Sequence, residues 1–498
     1  MQEVELKFQV PADRGRIVDA ALAGRSPGRR VRLQAAYYDL PGRALAQAGL
    51  ALRVRREGRC WVQTLKGPGR DGMSRAEHNV VLPSPARGAP EPDPARHAGT
   101  KVGARLLALL DKHPGATLEM RYRTDVLRRT RLLRTRLGVL ELAFDQGSIE
   151  AGDRRFDLSE LEIELKSGSP LAVIECARSW QRRYGLWLDT RSKAERGDLL
   201  ARGESVAAAR MASRVGLTRG MTVAEALRAV QRNCADQIVA NASQIASGEH
   251  GAEHVHQLRV GLRRLRSALR LFADPAPALA EAAAAVFRSL GNARDRDVLA
   301  GVFGSELQTA LAGIELDELP MLNRAGPGAV APVDAVRATQ AQALLLDLLA
   351  AGGVAVDEPD ARGKAATAGL RKRLVRRLDR WHRAVLADAE RFEQLDRDER
   401  HVLRKRLKRL RYGVEFAAGL FGKRALRRYL RRLSAAQDRL GALNDVVMAT
   451  RVFERARFAD PRARVALEWL AARHDELVGQ ALPDVRAFAA VRRCWGRD

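Results

Sequence analysis

The chain has 498 residues, 46% of them hydrophobic, with 87 basic against 60 acidic side chains and a formal net charge of +27. That length supports two to four domains with sizeable cores, and the charge excess points to a polyanionic partner: nucleic acid, an anionic membrane surface or polyphosphate. Four scattered cysteines without a C-x-x-C pair argue against a zinc site or a disulfide scaffold, and neither a signal peptide nor a membrane span is expected from the apolar runs.

Residues 1–200 read as short strands divided by turn signals, with few helices. The first strand is Glu3-Val4-Glu5-Leu6-Lys7-Phe8. Alternate side chains of a strand point to opposite faces, so Glu3, Glu5 and Lys7 share one face and Val4, Leu6 and Phe8 the other. A helix is expected from Arg14 to Ala23, then Tyr37-Tyr38-Asp39, a turn or short helix at Pro41-Gly42, and a strand carrying Arg53, Arg55 and Arg56. Gly58 marks a hairpin into Cys60 to Lys66, and the next strand carries Arg75, Glu77 and Asn79 with one parity. A Pro-rich surface loop (Pro83 to Pro94) and a helix (Gly103 to Leu110) precede a strand on which Arg121 and Arg123 share a face. Leu140, Leu142 and Phe144 then alternate with Glu141 and Asp145. The strand of Glu162, Glu164 and Lys166 follows, then an amphipathic helix from Pro170 to Tyr184 and the segment Ser192 to Gly197. Several strands with one apolar and one charged face predict a barrel turned inside out. Its apolar faces pack outward under helices and its charged faces line a wet tunnel, where metal ions and a polyanion supply the compensating charge.

Glu3-x-Glu5-x-Lys7 resembles the signature of the CYTH family, the triphosphate tunnel metalloenzymes. Arg53-x-Arg55, Gln63-x-Leu65-Lys66, Arg75-x-Glu77, Arg121-x-Arg123, Asp145, Glu162-x-Glu164 and Ser192-Lys193-x-Glu195-Arg196-Gly197 follow in the order that family shows. The resemblance implies that Lys7, Arg53, Arg55, Lys66, Arg121, Arg123 and Lys193 bind a triphosphate, arginine giving bidentate geometry to phosphate oxygens. It implies metal ligation by Glu3, Glu5, Glu77, Asp145, Glu162 and Glu164, with Asp145 a ligand or a group that orients water. Oxygen ligands with phosphate as co-ligand favour Mg2+ or Mn2+. Salt bridges between the two sets are the alternative, and would need no metal. The catalytic base stays unassigned among the carboxylates.

Residues 201–217 read as a linker, and residues 218–498 take on a helical period rich in Leu, Ala and Arg. An Ala/Gly/Asp-rich stretch from Leu311 to Arg362 divides two halves, although Val333 to Leu349 reads as helical in its own right. The halves repeat. His256-x-x-Arg259-x-x-x-Arg263-Arg264-x-Arg266 aligns with His401-x-x-Arg404-x-x-x-Lys408-Arg409-x-Arg411, and Leu290-Gly291-x-x-x-Asp295 with Leu440-Gly441-x-x-x-Asp445. His256, Arg259, Arg263, Arg266 and Arg270 form one stripe about 21 Å long on a helix face, with Leu258, Leu262, Leu265 and Leu269 opposite. His401, Arg404, Lys408 and Arg411 repeat the stripe against Leu403, Leu407, Leu410 and Val414; Arg264 and Arg409 lie off it. Asp295 and Asp445 are read as structural partners of arginines, Gly291 and Gly441 as points of close helix approach.

This repeat resembles the CHAD domain, two pseudo-symmetric four-helix bundles associated with inorganic polyphosphate. All the stripe residues, with Arg264 and Arg409, are thereby candidates for polyphosphate binding. The expected fold class is α+β: an N-terminal antiparallel β-barrel over residues 1–200 and a C-terminal all-α domain over residues 218–498. The implied function is metal-dependent hydrolysis of inorganic triphosphate in the tunnel, with the helical domain binding polyphosphate. The alternatives are a non-catalytic polyphosphate-binding or targeting protein, and a tunnel enzyme acting on thiamine triphosphate or ATP. Sparse aromatics argue against specific nucleic-acid binding. The implied location is the cytoplasm, in association with polyphosphate granules.

Overall fold

The computed structural model describes residues 2–24, 29–69, 73–85, 87–272, 277–291, 330–353, 369–458 and 462–496. They fall into two compact units: Met1–Arg210 with Ala235–His254 and Val336–Val356, and Met211–Cys234 with Val255–Ala335 and Asp357–Asp498.

The first unit holds β1 (Gln2–Gln9), α1 (Gly15–Ala23), β2 (Arg29–Asp39), α2 (Ala44–Gln47), β3 (Ala51–Glu57), β4 (Cys60–Gly67) and β5 (Ser74–Leu82). It continues with α3 (Lys101–Leu110), β6 (Glu119–Arg134), β7 (Gly138–Ala151), β8 (Arg154–Gly168), α4 (Leu171–Tyr184), β9 (Trp187–Leu188) and α5 (Lys193–Ala201). The strands run antiparallel in the order β5-β4-β3-β2-β6-β7-β8-β1, and β1 also pairs with β5, which closes eight strands into a barrel. Leu6, Phe8, Leu52, Val54, Leu140, Leu142, Phe144, Leu161 and Ile163 are buried on its outer face, under α1, α3 and α4. The alternation therefore works as expected: removing these side chains from water holds the helices on the barrel wall, at about 25 cal/mol per Å² of apolar surface.

One part of the interior is apolar. Leu33, Ala35, Tyr37, Tyr122, Val126, Ile149, Ala151 and Leu158 form a cluster against Ala194, Leu200 and Ala201 of α5. Tyr37 faces Arg53 and Ala35 faces Arg55 across the β2–β3 ladder, so this plug shares the face of the charged residues. The Tyr37 and Tyr122 rings stack with centroids 4.8 Å apart. α5 starts in a capping box: Ser192 Oγ accepts from Glu195 N at 3.1 Å, and the Glu195 carboxylate accepts from Ser192 N at 2.6 Å. A Cβ on Gly197 would fall 2.3 Å from Tyr122 Cδ2, so only glycine lets α5 settle on the plug.

The β2–β6 ladder shifts register between Tyr37 and Tyr38, a bulge that changes the parity of β6 beside Arg121. Beyond it, buried Tyr122, Thr124 and Val126 face inward with Arg128, while Arg123 and Leu127 face out.

The second unit carries the first part of α6 (Val223–Ala246), most of α7 (Ala252–Phe272) and α8 (Pro277–Ser289). α9 (Pro332–Arg337) crosses the division and α10 (Thr339–Gly353) belongs to the first unit; the second continues with α11 (Gly369–Glu390), α12 (Arg397–Phe416), α13 (Lys423–Ala456) and α14 (Arg462–Ala489). α11 to α14 pack in sequence and α14 returns to α11, a four-helix bundle. Both predicted leucine stripes are buried. The close helix approach lies at Gly413, where a Cβ would sit 2.8 Å from Trp381 Cζ3. Among the described residues, Gly441 has nothing within 4 Å of such a Cβ, and the nearest neighbour of Gly291 is Arg259 Nη1 at 3.8 Å. Asp295 and most of the stretch from Leu311 to Arg362 lie outside the described residues, while Val333 to Leu349 falls in α9 and α10.

Candidate active site in the barrel and basic faces of the helices

The inner face of the barrel and the segments beside it line a cavity of about 910 Å³. Glu3, Glu5, Lys7, Arg53, Arg55, Lys66, Glu77, Arg121, Glu162, Glu164 and Lys193 all line it. Two predicted residues do not. Arg123 lies on the outer face beyond the bulge, its side chain 67% exposed and paired with Glu150 at 2.9 Å. Asp145 shares the inward face with its cross-strand neighbours Arg128 and Glu160 but is fully buried, and accepts from Arg128 Nε at 2.6 Å and from Lys193 Nζ at 2.8 Å. Both of its oxygens meet cations, so it anchors the basic set.

Arg128 is the inward residue that strand parity missed. Its Nη2 lies 2.7 Å from Asp145 Oδ2 and 2.5 Å from Glu162 Oε2. Even spacing along Tyr122, Thr124, Val126 and Arg128 carries the signal, but only if the bulge is known. Glu160 is the other missed group: Lys193 Nζ contacts it at 2.6 Å, and Arg196 pairs with it too. Asp145, Glu160 and Glu162 bring oxygens within 4.8 Å of one another, yet Lys193 and Arg128 already neutralise the trio. Burial opposes both charge states, but Arg128 and Lys193 hold Glu162 well below the usual carboxylate range, and the carboxylates hold Lys193 above the usual ammonium range.

A second cluster has a different balance. Lys66 Nζ lies 2.9 Å from Glu3 and 2.6 Å from Glu77. Burial, and then a hydrogen bond with Glu77, pushes Glu3 up to about 8. Glu77 is correspondingly held low: burial raises it, but the hydrogen bond from Glu3 and the charge of Lys66 outweigh burial. Glu5, which pairs with Lys7, and Glu164, which Lys166 contacts at 2.8 Å, line the same cavity. A divalent cation among these carboxylates would offset the burial that raises Glu3. Glu3, Glu5, Glu77 and Glu164 are oxygen donors of the kind such an ion takes, while among the described residues the acidic trio with oxygens within 4.8 Å of one another is Asp145, Glu160 and Glu162. Arg55 pairs with Glu57 at 2.7 Å, Arg121 with Glu119 at 3.6 Å, and Arg53 Nη1 donates to Tyr37 OH at 3.3 Å.

In the helical unit, His256, Arg259, Arg263, Arg266, His401, Arg404, Lys408, Arg409 and Arg411 are half-buried along α7 and α12, and Arg270 is exposed. The Arg259 guanidinium donates to Leu290 O at 2.6 Å and lies 4.6 Å from the Phe287 ring. Arg263 lies over the same ring at 5.5 Å. His401 Nδ1 and Asn444 Oδ1 are 2.8 Å apart, and Arg411 pairs with Glu415 at 2.8 Å. Arg409 lies over Trp381; burial first, then the nearby charges of Arg270, Arg406 and Arg377, lower its pKa. Arg264 departs from its prediction. It is 3% exposed, donates to Asn233 at 2.8 Å and stacks over Phe416 at 5.1 Å, so it is a core contact with no face for an external polyanion.

Residues 1–197 match the CYTH domain family and residues 229–454 the CHAD domain family. A curated relative, the inorganic triphosphatase of Haemophilus influenzae, is 32% identical over 205 residues, 40% of this chain. The match spans about half of that relative, 55% of its length. Among solved structures, the CHAD domain from the plant Ricinus communis is 29% identical over 58% of this chain and 98% of its own, with a TM-score of 0.45. HpAC1 from Hippeastrum, a putative adenylyl cyclase described as having a dominant triphosphatase activity, is 16% identical over 41% of this chain and 96% of its own, with a TM-score of 0.29. No helix among the described residues is long and apolar enough to cross a membrane.

Proposed function

From a chain that carries a CYTH domain followed by a CHAD domain, we propose a metal-dependent hydrolase of inorganic triphosphate whose helical region binds inorganic polyphosphate. The observation that carries this reading is the cavity itself, where carboxylates and guanidinium or ammonium groups alternate around one enclosed space. An organic triphosphate would need a base-stacking or ring-binding wall. The aromatic side chains on this wall are Tyr37, Tyr38 and Tyr122, and Tyr37 and Tyr122 stack on each other.

Phosphoryl transfer spreads charge over equatorial oxygens, so positioning and electrostatics dominate. Arg53, Arg55, Lys66 and Arg121 hold phosphate oxygens in this reading. Tyr37 orients Arg53, and the Asp145, Glu160 and Glu162 cluster fixes Arg128 and Lys193 so that neither collapses onto the anion. Glu3, Glu5, Glu77 and Glu164 would hold Mg2+ or Mn2+, and the ion would supply charge neutralisation at the phosphate oxygens and a more acidic water. On the helices, the stripes of α7 and α12 offer positive charge to a longer chain in this reading. A location with polyphosphate in the cytoplasm follows from that affinity.

Phosphate release from tripolyphosphate, longer polyphosphate, ATP and thiamine triphosphate, with Mg2+, Mn2+ or EDTA, tests the reading. Metal-dependent release, fastest from tripolyphosphate, supports it; a preference for an organic substrate, or no release from any of the four, overturns it.

A further inference from the structure

Eleven lysines and arginines line the cavity, and nine of them have a carboxylate oxygen within 3.7 Å among the described residues. The two exceptions are Arg53 and Arg210. Arg53 is a barrel residue, and its buried Nε has no hydrogen-bond partner among the described residues. Arg210 lies in the segment after α5, which runs without helix or strand from residue 204 to 217. That segment has no local period to fix it, yet it is gripped. Asn241, fully buried on α6, accepts from Arg210 N at 3.0 Å and donates to Arg210 O at 2.9 Å. Gln244, one α6 turn on, accepts from Ala207 N and from Arg191 Nη1, each at 3.4 Å. A buried amide that satisfies both main-chain groups of a single residue fixes where that residue's side chain begins. Arg210, so placed, is exposed and lines the cavity.

We propose that Arg210 is a substrate-binding residue of the cavity, contributed from outside the barrel strands, and that Asn241 is its positioning residue. Its ligand is a non-bridging oxygen of an outer phosphoryl group on a linear inorganic phosphate chain, whose other groups meet Arg53 and the metal-holding carboxylates. The inference rests on the cavity being the triphosphate site. A guanidinium without a carboxylate partner offers its full donor set to an anion and gives up no ion pair in doing so.

Steady-state rates of the full chain on tripolyphosphate, with a calorimetric Kd for its non-hydrolysable imido analogue, test it. Arg210→Gln should raise KM and Kd together by roughly tenfold or more and leave kcat within about twofold, since it removes binding common to ground and transition states. Arg210→Lys should recover part of the loss, and Asn241→Ala should move KM in the same direction as Arg210→Gln. Arg214→Gln, on an exposed arginine off the cavity wall, should match the wild type. A wild type that hydrolyses tripolyphosphate beside an Arg210→Gln variant with unchanged KM and Kd overturns this inference alone. A wild type that neither binds nor hydrolyses it overturns the cavity reading as well. Arg210 is exposed, so its variants decide the matter even if Asn241→Ala fails to fold.

Discussion

Lys193 Nζ lies 2.6 Å from Glu160 Oε1, and Glu160 is fully buried. The contact ties the first turn of α5 to the inward face of β8, and Arg196 joins from the same helix. Replacing one member of a buried charge cluster leaves the others uncompensated, at roughly 3–5 kcal/mol. Glu160→Gln should therefore lower the stability to urea by that order. Glu164→Gln, on a half-exposed carboxylate paired with Lys166 at 2.8 Å, should cost under about 1 kcal/mol. Equal losses for the two variants would contradict the division into a structural and a ligand-facing carboxylate set.

A second prediction concerns pH and lies away from the cavity. Gln63 Oε1 accepts from Asp93 N at 2.7 Å and its Nε2 donates to Asp93 O at 2.8 Å, which fixes the amide. Gln63 Nε2 therefore donates to His97 Nε2 at 2.9 Å, leaving His97 Nδ1–H to donate to His78 Nδ1 at 2.8 Å. Burial, and then His78, lowers His97 from 6.5 to about 4. A depressed folded-state pKa gives stability that is complete above 6.5 and lost as pH falls toward 4, up to about 3 kcal/mol. His97→Gln should flatten the stability profile between those values. A profile as steep as the wild type's would show that His97 is not the titrating group.

The stripes yield a third prediction. Arg263→Gln with Arg266→Gln should weaken polyphosphate binding and reduce its salt dependence, by analogy with counterion release from nucleic acid. If one chain spans both stripes, adding Lys408→Gln and Arg411→Gln should give a non-additive loss. Lys423 and Arg424, exposed at the start of α13, are the control pair. Arg264→Gln should behave differently: a stability loss of about 1.5–3 kcal/mol from the Asn233 contact, insensitive to salt. Additive losses no larger than the control pair's would remove the shared site.

Much of this was legible because strand alternation is local. Glu3, Glu5 and Lys7 need only their own spacing to share a face, and the Ser192-Glu195 capping box announces α5 in four residues. β2 was legible only at Tyr37-Tyr38-Asp39, since apolar and polar residues along its arginine-rich start give no clear face. Parity failed at Arg123 because a bulge between two strands is a property of their pairing, and the same bulge concealed Arg128. Asp145 was placed on the right strand, but its saturation by Arg128 and Lys193 depends on residues 17 and 48 positions away. Arg264 repeats Arg409 in sequence, yet Asn233 and Phe416 bury it from other helices. The apolar plug and the grip of Asn241 on Arg210 are likewise tertiary, and no period of the chain encodes them.

The most direct test of a metal-dependent triphosphatase centred on the barrel carboxylates is the initial rate of phosphate release from tripolyphosphate by the wild type and by Glu5→Gln. Both rates should be taken in excess Mg2+ or Mn2+ and again in EDTA, with folding confirmed for both proteins. The account predicts that the wild type needs the metal and that Glu5→Gln loses at least about a hundredfold in rate while remaining folded, as expected when a charged group serving the transition state is removed. A Glu5→Gln variant that releases phosphate at the wild-type rate, or a wild type equally active in EDTA, would contradict it.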